Sequence, residues 1–524
     1  MQGGVSRYSW YALGLLVMVY VVNFVDRQIL SILADEIKLD LGISDADLGF
    51  LYGTAFAVFY AVFGIPLARL ADIWVRKNVI ALGLAVWSAM TALSGTAGNL
   101  LQLGAYRIGV GVGESSATPA AYSMLSDYFP EKLRATVFSI YIGGVYVGQG
   151  LGLFLGGFIV DQWNVGFDGG VGWFGLKGWQ AAFFAVGLPG LALAAWVATL
   201  REPRRGQQDG IQGPATSVHP WRELGRELAT VLPPFTLFSL LGGGVRARGL
   251  ALHAAGTLAI AALAWGLIAW LGEAKQWLAL GVGLYAAFAW SQGLALRDPP
   301  TFALLFRSRA MRFALLSVSM ASFVTYVFMF WTAPYLLRAF AVKATTVGQY
   351  MLIANILGGL TGAISGGMIS DRWKRKTANG RMYTVLLSAA LCAPVGLALL
   401  NAGSLGSALA MAILFNFVST LWNGSATAIV TELVMPRMRA IASALMLLMY
   451  TFVGLALGPF AVGQLSDAFV AAGETGAEAL RHAMSLGLIP IALALFFGAL
   501  ALRHIPGDEA SRLERARQAG ESLD

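Results

Sequence analysis

Four ionisable residues stand inside runs otherwise apolar enough to cross a bilayer: Asp26 and Arg27, in Asn23-Phe-Val-Asp26-Arg27, and then Arg107 and Glu114. A charge at membrane depth costs at least a few kcal/mol, so each marks a functional site by default. Neighbouring helical residues point about 100° apart, so Asp26 and Arg27 cannot both escape lipid by facing one direction, and pairing inside a bundle is the cheaper solution. Glu114 follows Arg107 by about two helical turns, on the same face. Apolar surroundings drive a carboxyl toward its neutral form and a nearby guanidinium draws it back. Asp26, Arg27 and Glu114 are therefore expected to form a proton-coupled switch in which a substrate anion and a carboxylate compete for one guanidinium. The alternative is a buried ion-pair lattice that fixes helix register and never titrates. The second half of the chain offers no comparable mid-span acid.

The elements that must position these groups follow from composition. Of the 524 residues 57% are apolar and only 12% charged, with a mean hydropathy of +0.68, where soluble domains carry roughly 25% charge. Apolar runs bounded by charges predict spans near 10–34, 47–70, 78–96, 101–128, 135–161 and 179–200, and again near 310–338, 345–370, 381–401, 405–433, 438–467 and 481–502. Two more runs, near 250–272 and 277–296, are long enough to cross, whereas residues 220–230 are polar enough to lie at the interface. The expected plan is an all-α polytopic membrane protein. It has a six-helix bundle over 1–200, a 201–309 linker with two additional helices, a second six-helix bundle over 310–503 and a 504–524 tail.

The net charge of +8 sits in short basic clusters between spans. That pattern reads as orientation in a membrane, with no nucleic-acid partner, and places both termini on the cytoplasmic side of a plasma or inner membrane. One cysteine, Cys392, and four scattered histidines leave no disulfide framework or metal site, and no cofactor is called for. Gly109, Gly111 and Gly113 follow no strand and lie in an apolar span, so they read as helix-packing positions, not a phosphate loop. No clustered catalytic set appears near mid-span, so an enzyme is not expected.

The chain is internally duplicated. Asp72, Arg76 and Lys77 have the same spacing as Asp371, Arg375 and Lys376, and Asp127 to Glu432 and Arg134 to Arg439 are both separated by 305 residues. Such duplication is the mark of repeat-built transporters with a midplane site between repeats. The loop signature resembles that of the major facilitator superfamily, Gly-x-x-x-Asp-Arg-x-Gly-Arg-Lys. The first copy departs from it at Ala68, Ile73 and Val75, and the second, from Gly367 through Lys376, keeps all but one position. The resemblance implies a major facilitator fold. Its carboxylate and basic residues, Asp72, Arg76, Asp127 and Arg134 with Asp371, Arg372, Arg375, Glu432 and Arg439, are expected to form latches that break when two bundles rock.

Asn23 through Arg27, Arg107 through Glu114, and Leu125-Ser-Asp127-Tyr-Phe-Pro through Arg134 to Gly148-Gln-Gly150-Leu-Gly152 together resemble Spinster-family transporters, closely over the first 160 residues and weakly beyond. That resemblance implies a lysophospholipid or sphingosine 1-phosphate-like substrate carried with protons; the monomer is the expected functional unit. Arg27 would hold the anionic head, and Asp26 and Glu114 would carry the proton dependence. Further substrate contacts are sought at Asn23, Arg107, Tyr60, Tyr141, Tyr146 and Gln149 in the first half. In the second half they are Phe323, Tyr326, Phe330 and Trp331, at helical spacing, with Trp422 and Asn423 where the tenth core span is interrupted. A transporter of drugs or small organic anions is the alternative.

Overall fold

A computed structural model describes residues 5–167, 170–208, 219–232, 235–237 and 247–521. Part of the 201–309 linker therefore lies outside the described residues. The described chain is helical, with one isolated bridge between Val171 and Lys177. Among the described residues, 13 helices are long and apolar enough to cross a membrane. The remaining expected span is divided at Ser115 and Ser116 into helices Leu100–Glu114 and Ala117–Tyr128. Both additional helices are present, as Ala247–Leu271 and Ala274–Arg297. Pro220–Leu228 is a short helix with no buried residue, whose Trp221 ring lies 5.1 Å from that of Trp74.

The helices sort into two compact units. One contains 1–43, 59–228 and 341–352; the other contains 44–58, 229–340 and 353–524. Each unit thus takes in the start of one helix from the opposite half of the chain.

In the first unit, glycines set the spacing. Gly144, Gly148 and Gly152 recur every fourth residue along Glu131–Gly166, and a Cβ at Gly148 would lie 2.5 Å from the Val21 carbonyl oxygen. Small residues at this interval let membrane helices approach until backbones touch. The first helix, Arg7–Ile32, which bears Asn23, Asp26 and Arg27, is fixed in this groove. Arg76–Ser94 is held on two sides. A Cβ at Gly113 would sit 2.8 Å from Trp87 N, and one at Gly187 would sit 2.5 Å from Ala92 N. Two of the three glycines that resemble a phosphate loop, Gly113 and Gly109, are thus packing positions, the latter against Met90. Asp161 secures the start of the helix at 344 by accepting from Thr345 N at 2.7 Å and Thr345 Oγ1 at 2.6 Å.

The second unit repeats that device. Asp467 accepts from the backbone N–H of Asp45 at 3.0 Å and of Ala46 at 2.8 Å, filling donors that a helix start leaves open. Asp45 is itself fully buried and bound twice by Arg338, at 2.8 and 2.9 Å, with Ser466 Oγ donating at 2.8 Å. The additional helices dock onto this same region. Gln464 Nε2 donates to Leu271 O at 2.8 Å, Lys275 pairs with Asp47 at 2.6 Å, and Trp277 meets the edge of Phe460. Within the hairpin, His253 reaches Gln292 Oε1 at 2.9 Å and Tyr285 Oη at 3.1 Å. Helix Ala247–Leu271 buries none of its most apolar stretch, so it is the lipid-facing side of the pair.

Adjacent glycines offer a test of this packing. Along 354–366, Gly358, Gly362 and Gly366 press on Leu405–Thr420 and the turn after it, and a methyl group at Gly366 would collide with the Leu421 carbonyl. Gly367, one residue on, has open space around it. Gly366→Ala should lower unfolding stability by roughly 1–3 kcal/mol, and Gly367→Ala should stay within about 0.5 kcal/mol, as read by chemical unfolding in detergent.

Candidate functional site

The sharpest polar feature of the first unit is a buried ion pair: Arg27 Nη2 donates to Glu114 Oε2 at 2.6 Å, with the carboxylate side chain fully buried. Asn23, one turn before Arg27, faces the same carboxylate. Phe24 and Tyr60 present ring faces to the guanidinium, with centroids 4.7 and 5.5 Å from its carbon. A cation between aromatic faces and a carboxylate, away from water, holds its partner strongly, and loss of that partner is costly. The second oxygen, Glu114 Oε1, has no hydrogen bond.

Asp26 points elsewhere. As the 100° step between neighbours requires, it leaves Arg27 to Glu114 and turns toward Trp87, Thr91 and Arg107. Arg107 Nη1 donates to the Asp26 backbone carbonyl at 3.3 Å. Both Asp26 carboxylate oxygens lack a hydrogen bond, and the residue is fully buried. The first unit therefore brings Asn23, Asp26, Arg27, Tyr60, Arg107 and Glu114 together. Tyr141 stacks on Tyr20 at 4.3 Å and meets Tyr122 edge-on. Tyr146 and Gln149 are buried farther along the same helix.

The second-half candidates divide in two. Phe330 stacks on Tyr52 at 4.3 Å, and Trp331 Nε1 donates to Pro459 O at 2.9 Å; both are fully buried in packing. Tyr326 and Trp422 both adjoin the Tyr450 ring, at 6.4 and 6.3 Å. Phe323 and Asn423 are half-buried near them in sequence, with Asn423 opening a new helix after the interruption at Leu421 and Trp422.

The signature residues form two networks of unequal depth. Arg76 is buried and bonds to Asp127 at 2.5 Å, Glu202 at 2.7 Å and Pro203 O at 2.8 Å, while Asp72 is exposed. Arg134 donates to Ser126 O at 3.0 Å. In the second copy Arg381 takes the central place, binding Glu432 at 2.7 Å and Asp371 at 2.9 Å, with Lys374 reaching Glu432 and Glu509. Arg372, Arg375 and Arg439 are exposed. Beyond the spans, Arg437 binds Asp298 at the end of the additional hairpin and Glu521 of the tail. Hydrogen bonds from Arg437 hold the Asp298 carboxyl down at about 2. Sequence reading missed Glu202, Arg381 and the Asp45–Arg338 pair. The members of that last pair lie 293 residues apart.

Comparison with known proteins adds a frame. The family model for the Major Facilitator Superfamily matches residues 16–459. Part of the chain is 33% identical over 191 residues to an MFS-type efflux pump of Mycolicibacterium smegmatis, covering 36% of this chain and 41% of that one. It is 28% identical over 210 residues to the probable galactarate/D-glucarate transporter GudP of Bacillus subtilis, covering 39% and 43%. It is 25% identical over 206 residues to Protein spinster of Drosophila melanogaster, covering 39% and 32%. These matches span less than half of each relative. In fold, a crystal structure of a bacterial homolog to human lysosomal transporter Spinster, inward-facing and unoccupied, superposes with a TM-score of 0.72 at 24% identity, covering 96% of this chain and 99% of that one.

The unequal networks give a measurable contrast. Arg76→Ala leaves Asp127 buried without its cation and should cost about 3–5 kcal/mol, whereas Asp72→Ala should change stability by less than about 1 kcal/mol. Thermal unfolding in one detergent, with both variants side by side, reads the difference.

Proposed function

The chain belongs to the Major Facilitator Superfamily, and on that premise we propose that it is a proton-coupled secondary transporter of an amphipathic anion, lysophospholipid- or sphingosine 1-phosphate-like. The observation that carries this reading is the 2.6 Å pair between Arg27 and Glu114. One guanidinium cannot satisfy two anions equally in a site without water. A substrate phosphate at Arg27 displaces Glu114, and the displaced carboxylate is neutralised by taking up a proton. Substrate loading and protonation thus proceed together, and release of the anion returns Arg27 to an ionised Glu114. Asp26 supplies a second proton site kept off Arg27 by helix geometry. Repeat-built transporters alternate access by rocking one repeat against the other around such a site. In this reading Tyr60, whose ring faces the Arg27 guanidinium, borders the head group.

The basic loops orient the protein with both termini cytoplasmic in an inner or plasma membrane, and the monomer suffices. The relationship to Spinster proteins supports a lipid. The relationship to GudP favours a second reading, in which the same guanidinium takes the carboxylate of a small sugar acid.

In proteoliposomes, Asp26→Asn and Glu114→Gln should each abolish the stimulation of uptake by a pH gradient while leaving measurable binding. Wild-type pH dependence in both would end the coupling role. A panel of lysophosphatidic acid, sphingosine 1-phosphate and D-glucarate assigns the substrate class: competition by the lipids alone supports the leading reading, and competition by glucarate alone replaces it.

A further inference from the structure

Helix Arg76–Ser94 carries more polar side chains toward the protein interior than packing requires. Trp87, Ser88 and Thr91 are all fully buried, and none of Trp87 Nε1, Ser88 Oγ and Thr91 Oγ1 makes a hydrogen bond. Ser88 has a steric reason for its small size, since it lies against Gly190. Trp87 and Thr91 have none. They stand four residues apart, on one helix face, and both face the Asp26 carboxylate, whose two oxygens are also unbonded. Two buried donors thus converge on the two oxygens of one buried carboxylate, within reach of it but short of close hydrogen-bond geometry. A buried donor without an acceptor costs about 1–3 kcal/mol, so the pocket is matched most fully when both oxygens can accept. The helix cannot drift from this position, because Gly113 admits it on one side and Gly187 on the other.

The geometry points to Trp87 and Thr91 as positioning residues that cradle the Asp26 carboxylate once it has given up its proton, the indole N–H donating to one oxygen and the hydroxyl to the other. Arg107 and Glu114, from Leu100–Glu114, are the charged groups facing the same carboxylate. Trp87 and Thr91 add two neutral donors beside these charges. When Asp26 is protonated, Thr91 Oγ1 can accept from its hydroxyl and the indole keeps the other oxygen, but bonds to the neutral acid are weaker than bonds to the carboxylate. Proton uptake therefore weakens the contact between Arg76–Ser94 and Arg7–Ile32, the helix that also bears Arg27. This deepens the coupling reading above and rests on it for its role in transport.

The ionisation itself is tested without any substrate, by tryptophan emission from the full-length protein in liposomes through a pH titration. Wild type should show a pH-dependent component that Trp87→Phe removes and Asp26→Asn removes as well. Thr91→Val should move its midpoint up by about one pH unit, because losing a donor to the charged form favours the proton. Thr91→Ser, which restores the hydroxyl, should return it to the wild-type position, and a packing role for the threonine would not. A Trp87-dependent component that survives Asp26→Asn overturns the cradle, as does an unmoved midpoint in Thr91→Val. Should the cradle pass while a pH gradient fails to drive uptake, the transport reading falls alone; should gradient-driven uptake need Asp26 but the emission tests fail, only the cradle falls.

Discussion

A polar group inside hydrocarbon must find its partner within the protein, and this chain is organised around that requirement. Lipid supplies no hydrogen bonds, so Arg27, Asp26, Arg107 and Glu114 can exist at depth only where three helices converge on them. Arg7–Ile32 brings the first two, Leu100–Glu114 the others, and Arg76–Ser94 closes the pocket with Trp87 and Thr91. The fourth span is broken immediately after Glu114, at Ser115 and Ser116. Ser116 Oγ donates to Gly113 O at 2.8 Å, keeping a backbone carbonyl satisfied where the helix changes course.

Closeness of approach is the second condition, and glycine supplies it. The rows at 144–152 and 358–366, with Gly113 and Gly187, replace side-chain volume by backbone contact. Membrane helices gain little from the hydrophobic effect on pairing, because lipid tails are as apolar as leucine. Tight packing is what remains to fix their register, and register decides whether Glu114 reaches Arg27 or misses it by a turn. The additional hairpin obeys the same logic from outside. It meets the rest of the second unit through Gln464, Lys275 and Trp277, and within it His253 bonds to Tyr285 and Gln292.

How much of this could be read from the chain alone follows from the range of each signal. The helices, the extra pair and the intramembrane charges are local features of hydropathy, and the sequence displays them directly. The proximity of Asn23, Asp26, Arg27 and Glu114 was approachable because a charge in lipid has so few places to go. Partners chosen by tertiary contact were hidden. Asp72 looks like the signature's central acid, yet Arg76 turns instead to Asp127 and Glu202. Phe330 and Trp331 share the periodicity of a binding stripe but are consumed by Tyr52 and Pro459. Trp87 and Thr91 read as ordinary members of an apolar span, since only their unbonded atoms set them apart.

Duplication divides the labour. Asp161 and Asp467 stand 306 residues apart, nearly the interval that relates Asp127 to Glu432, and each holds the start of one helix, at Thr345 and at Asp45. A carboxylate on a helix start is worth about 0.5–2 kcal/mol, small enough to be made and broken repeatedly. Around Asp45 the second copy adds a buried pair with Arg338, for which the helix start at Thr345 has no counterpart because Thr345 carries no charge. Removing one partner of such a pair costs about 3–5 kcal/mol. The repeated helix-start contacts are thus weak and mechanical. The buried pairs Asp45 with Arg338 and Arg27 with Glu114 are strong and occur once each, so each unit holds an interaction that the other does not repeat.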